Sequence, residues 1–141
     1  MLAKSGSFMR LAGNGKGGDG QKVERGAMAH SLRSMGSAAL NLAMVAQGGL
    51  DIYWEIGCGS WDVCAGIVIL QEAGGVMTGS APHYTRTRDG NPFDVTPDVL
   101  TGGKYLAIRA IQGEEGENGV DAHKRIVEEF HRCVDDGVLF G

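Results

Sequence analysis

The 141-residue chain has no run approaching the ~20 consecutive apolar residues that a membrane-spanning helix needs. Residues 1–10 carry Lys4 and Arg10 but no apolar block, so they do not read as a signal peptide. A cytoplasmic location is the expectation. Basic excess is also missing: the formal net charge is −4 and the pI about 5.5. That excludes a general grip on nucleic acid, which requires a positive surface. It also means that an acidic chain handling phosphate needs a cation between the two negative partners. Cysteine is scarce and odd in number, at Cys58, Cys64 and Cys133, with no Cys-x-x-Cys pair. A disulfide framework or zinc ribbon is excluded on that basis, and reduced thiols fit better. Cys58 and Cys64 are expected to pack as small apolar residues. The three prolines all fall within residues 79–102, so the rest of the chain is free of that breaker.

Hydrophobic residues make up 43% of the chain, too many for a disordered composition and enough for one domain with one core. Glycine is abundant, with 24 residues, and five of them lie in the stretch 13–20. That stretch reads as a flexible loop. It lacks the Gly-Lys-Ser/Thr ending of a phosphate-binding P-loop. Residues 1–30 are accordingly a Gly-rich lead-in, with at most a short strand at Phe8 and Met9.

Periodicity begins at residue 34. Ser34 or Ser37 can cap a helix, and Ala38, Ala39, Leu42, Ala43, Val45 and Ala46 give it a small-residue face before Gly48 and Gly49 stop it. Leu50–Ile56 alternates, with Leu50, Ile52, Trp54 and Ile56 on the apolar side and Asp51, Tyr53 and Glu55 on the polar one, the pattern of a half-buried strand. Ser60 is a candidate cap for a second helix over 61–73, with Val63, Ile67, Leu70 and Ala73 in register and Gly74 and Gly75 as its stop. A strand opens at Val76 and Met77. Residues 79–102 read as a long irregular connection, 105–111 as a strand, and 113–119 as an acidic loop. Val120–Val134 reads as an amphipathic helix with Ile126, Val127, Phe130 and Val134 on its apolar face. The alternation of helices and strands predicts a layered α/β domain.

The segment Trp61-Asp62-Val63-Cys64-Ala65-Gly66, followed by Glu72-Ala73-Gly74-Gly75, carries the most information. Alone, Asp62 is a first-turn carboxylate favoured by the free amides and positive end of a helix, and Trp61 belongs to the core. Two further segments change that reading. These are Arg33-Ser34-Met35-Gly36-Ser37-Ala38-Ala39-Leu40-Asn41 and Gly48-Gly49-Leu50-Asp51-Ile52-Tyr53-Trp54-Glu55. In this order and spacing the three resemble the C-terminal half of the inositol monophosphatase family of sugar phosphatases, in a fungal type. The resemblance implies that residues 31–141 are the C-terminal half of a layered α/β fold. It implies magnesium-dependent hydrolysis of a phosphomonoester, most simply inositol monophosphate, to polyol and phosphate, with water as nucleophile. On the same basis Asp62 is a Mg²⁺ ligand and borders the substrate. Glu55 accepts from a sugar hydroxyl, and Gly36, Ser37 and Ala38 line the pocket. The expected partner is a small polyol phosphate, with neither nucleic acid nor membrane, and a homodimer of the full-length protein is compatible with the family.

The family's remaining metal ligands lie in a Glu-rich strand end and an Asp-Pro-x-Asp-Gly-Thr loop, and neither precedes Asp62. The 30 lead-in residues are too few to hold that half. Asn91-Pro92-Phe93-Asp94-Val95-Thr96 lacks the first Asp and the Gly of the aspartate loop, and Gly113-Glu114-Glu115 stands in the wrong order for the glutamate motif. The rival expectation is therefore a non-catalytic relic or interaction module that keeps this half of the fold.

Overall fold

The computed structural model describes Leu11 and residues 29–134. The expected short strand at Phe8 and Met9 and the Gly-rich stretch lie outside them. The chain divides into two compact units, Met35–Lys124 on one side and Met1–Ser34 with Arg125–Gly141 on the other.

In the larger unit, helix α1 spans Ala38–Gln47. Of the two serines expected as caps, Ser37 takes the role: its Oγ accepts from the Leu40 amide at 3.3 Å. Gly48 ends the helix with φ 83°, and the Gly48 and Gly49 amides return to the carbonyls of Val45 and Met44. Strand β1 is Ile52–Ile56 and helix α2 is Ser60–Glu72. The residue capping α2 is Gly59 rather than Ser60, because Asp62 reaches back and accepts from the Gly59 amide at 3.2 Å. Ser60 thus becomes the first helical residue. Gly74, at φ 82°, closes the turn into strand β2, Val76–Thr78.

The stretch 79–102 is not wholly irregular. It holds two short helices, α3 over Ala81–Thr87 and α4 over Pro97–Thr101. The prolines that argued against helix stand in the first turns, where no amide donor is needed and the fixed φ already suits the helix. Pro92 stays buried in the loop between them. Strand β3, Lys104–Ile108, ends three residues earlier than expected. Helix α5, Gly119–Cys133, has the expected amphipathic pattern, starting in the larger unit and running into the smaller one. None of the described helices is long and apolar enough to cross a membrane.

The sheet has the order β1-β3-β2, with β3 antiparallel to both neighbours. Tyr53 and Met77 both pair with Ala107 across it. These three, with Tyr105, share one face, and Leu42 and Val45 of α1 and Val63, Ile67 and Leu70 of α2 close over it as the core. The two helices meet where Gly66 lies against Leu42. This corrects the expected polarity of β1. Its alternation is real, but Tyr53 and Glu55 lie on the face under the helices: Tyr53 is 7% exposed, while Ile52, Trp54 and Ile56 are half-buried and Asp51, before the strand, is exposed. A tyrosine ring buries well when its hydroxyl finds a partner, here Glu55. Two further expectations are overturned. Trp61 is 81% exposed rather than core, and Cys64 is exposed rather than packed. Trp61 lies on the side of α2 opposite Val63, Ile67 and Leu70, and Cys64 on its flank. Cys58 does pack against the core, half-buried.

In the smaller unit, the Ala29 amide donates to the Leu11 carbonyl at 2.9 Å, and Val127, Phe130, Cys133 and Val134 are buried along α5.

Candidate functional site

Glu55 is the penultimate residue of β1, on its covered face. Both carboxylate oxygens are engaged: Oε2 accepts from the Tyr53 hydroxyl at 3.0 Å and Oε1 from the Ile56 amide at 2.9 Å. A carboxylate has about four lone-pair positions, so each oxygen can accept from more than one donor. Burial, and then the negative charge of Glu55, hold the Tyr53 phenol protonated well above its ordinary range. Tyr53 is therefore a fixed donor.

The loop from β1 to α2 is drawn toward β3 by the Gly57 amide, which donates to the Gly103 carbonyl at 2.7 Å. Gly57 has φ 92°, a backbone state that other residues rarely adopt. The loop delivers Asp62 into the first turn of α2, exposed, with Oδ2 on the Gly59 amide. Tyr105 is the strand partner of Glu55, and its phenol is raised first by burial and further by the neighbourhood of Cys58 and Asp62. The Tyr105 hydroxyl itself donates to the Leu100 carbonyl at 2.7 Å.

Gly36 and Ser37 precede α1 and Ala38 opens it. Gly36 is exposed, with open space where a Cβ would stand. The Ser37 hydroxyl is occupied by its capping bond, and Ala38 touches the core. The start of this segment is held by Asn41, whose Nδ2 donates to the Met35 carbonyl at 3.2 Å.

Magnesium prefers several oxygen ligands in near-octahedral geometry. Among the described residues, no three His, Cys, Asp or Glu side chains gather into a metal-holding group. Asp62 stands as a single exposed carboxylate with one oxygen already engaged. The described residues do not fit a complete magnesium site. Asp94, Glu114 and Glu115 belong to no such group either. A separate concavity of about 470 Å³ is lined by residues that include Gly74, Asn118, Asp121 and His123, and by none of the predicted site residues.

Sequence reasoning gave no role at the site to Asn41, Tyr53 or Tyr105. Two signals were available. Tyr53 stands two residues from Glu55, hence on its face of the strand, and Asn41 is an amide inside an apolar helix.

Residues 14–133 match the Inositol monophosphatase family over most of the chain. The chain belongs to this family, whose members are phosphatases. Among its relatives is quinic acid degradation cluster protein x of Neurospora crassa, 42% identical over 91% of this chain and 35% of that protein. Inositol monophosphatase 2 of Saccharomyces cerevisiae is 62% identical over 40% of this chain and 19% of its own length. A solved structure, inositol monophosphatase from Anabaena, aligns over 73% of this chain and 33% of that one at 31% identity, with a TM-score of 0.49. The chain spans about a third of the length, or less, of the curated relatives it matches.

Proposed function

We propose that residues 31–141 form the C-terminal, substrate-binding half of a magnesium-dependent phosphomonoesterase acting on inositol monophosphate, preceded by a Gly-rich lead-in over 1–30 and acting in the cytoplasm. Glu55 accepts from a polyol hydroxyl. Gly36, Ser37 and Ala38 form the adjoining wall at the start of α1, where backbone amides suit an anionic ligand. Asp62 contributes one carboxylate to the metal, and the other ligands come from outside the described residues. The observation that carries this reading is the pair of bonds that orient Glu55, from the Tyr53 hydroxyl and the Ile56 amide, and so fix an acceptor carboxylate at the end of β1, from which the next loop leads to Asp62. A carboxylate oriented by two donors on the covered side of a strand fits a ligand contact better than an unrelated surface group does.

The assay is phosphate release from inositol monophosphate with Mg²⁺ titrated, using the assembled phosphatase that contains this chain. Asp62→Asn deletes a charged ligand while nearly keeping shape, and it is expected to lower kcat by about a hundredfold or more. Turnover unchanged in that variant would return Asp62 to the role of a helix-start residue.

The lack of a metal-holding group among the described residues favours a second reading, a non-catalytic relic or interaction module. An assembled protein that binds inositol monophosphate but releases no phosphate at any Mg²⁺ concentration would establish it.

A further inference from the structure

Three polar side chains sit on the covered side of β1, and none of them is required by the packing there. Asn41 is 3% exposed on the inner face of α1, among Leu42 and Val45. An amide in such a place is costly unless its hydrogen bonds are made. One Nδ2 hydrogen goes to the Met35 carbonyl at 3.2 Å. The Tyr53 hydroxyl donates to Glu55 Oε2 at 3.0 Å. Asn41 thus ties the segment before α1 to the helix, and Tyr53 holds the carboxylate at the end of β1, both beside the apolar core between helix and sheet.

We infer that Asn41 and Tyr53 are positioning residues, Asn41 holding the Met35–Ala38 wall and Tyr53 the Glu55 carboxylate, so that both address one substrate. The role rests on Glu55 reading a substrate hydroxyl, as proposed for the site. Tyr53 acts by direction. The Tyr53 bond to Oε2, added to that of the Ile56 amide to Oε1, restricts the side-chain torsions of the carboxylate. Neither Asn41 nor Tyr53 needs to touch the substrate. Their effect is on binding geometry, so it falls on KM more than on kcat.

The test is a double-mutant cycle on Tyr53→Phe and Glu55→Gln in the assembled phosphatase, with KM and kcat for inositol monophosphate measured separately. Tyr53→Phe deletes one oxygen and leaves the ring in the core, and a thermal melt checks that folding is retained. The expected result is a KM raised roughly three- to tenfold by Tyr53→Phe, with kcat within about twofold. Glu55→Gln raises KM by about tenfold or more, and the double variant matches Glu55→Gln alone, because Tyr53 works only through that carboxylate. Asn41→Leu, which removes both amide donors at similar volume, is expected to raise KM in the same direction. If Glu55→Gln raises KM while Tyr53→Phe leaves it unchanged, or if the two effects multiply in the double variant, the positioning role is wrong and the proposed function stands. If Glu55→Gln itself leaves KM unchanged, the proposed function loses its substrate contact and the positioning role goes with it.

Discussion

Thr78 and Tyr105 show how unequally two buried hydroxyls can be placed in one sheet. The Tyr105 hydroxyl reaches the Leu100 carbonyl at 2.7 Å. Thr78, 1% exposed at the end of β2 and paired with Leu106, has a hydroxyl without a partner among the described residues. A buried donor left unpaired costs about 1–3 kcal/mol, whereas an apolar group of the same shape costs nothing of the kind. Thr78→Val keeps the branched outline that suits a strand. It is expected to raise stability by about 1 kcal/mol, read as a higher urea midpoint at unchanged m-value. A lower midpoint would show that the hydroxyl is satisfied after all.

At the scale of elements, the contact of α1 with α2 depends on one missing side chain. A Cβ on Gly66 would stand 2.7 Å from both the Cβ and a Cδ of Leu42, and Leu42 is fully buried. Gly66→Ala should gain about 1 kcal/mol from helix propensity. Overpacking of this kind costs about 1–3 kcal/mol and more when neighbours cannot yield. The clash involves the first atom of the Leu42 side chain, which moves only with its helix. The net expectation is a loss of about 1–2 kcal/mol, seen as a lower melting temperature. A stabilised variant would mean that the helices part without cost. The same contact explains why the small residues of α1 matter: they let the helix lie close enough for Leu42 and Val45 to join the core over β1 and β3.

For the whole molecule, the decisive quantity is the number of metal ligands. Magnesium binds through more than one carboxylate together with substrate oxygens and retained waters. The described residues offer Asp62 and no group of three. The 141-residue chain by itself is therefore expected to release little or no phosphate from inositol monophosphate, and to show no rise in melting temperature across a millimolar Mg²⁺ titration. Robust turnover by this chain would show that ligands are assembled that the described residues do not contain. Net charge points the same way. At −4 the chain offers no electrostatic attraction of its own for a phosphate monoester, so anion binding depends on the cation.

Much of this architecture was legible in the residues. Local rules determined the ends of α1 and α2, since a serine cap, an N-terminal carboxylate and glycines able to adopt positive φ act within one turn of the chain. They also determined the alternation of β1 and the amphipathic period of α5, and three segments in order identified the family. What only the tertiary structure decided was which surfaces are covered. The polar-looking side of β1 is buried because α1 and α2, brought together at Gly66, close over Tyr53 and leave Trp54 half-buried. Trp61 points outward because Val63, Ile67 and Leu70 claim the inner face of α2. Pro82 and Pro97 begin helices because their place in the first turn, not their presence, sets their effect. The surroundings of Glu55 and Asp62 lay beyond the sequence for the same reason. Asn41, Tyr53 and Tyr105 come from a helix and two strands, and only the pairing of β1 with β3 under α1 buries all three.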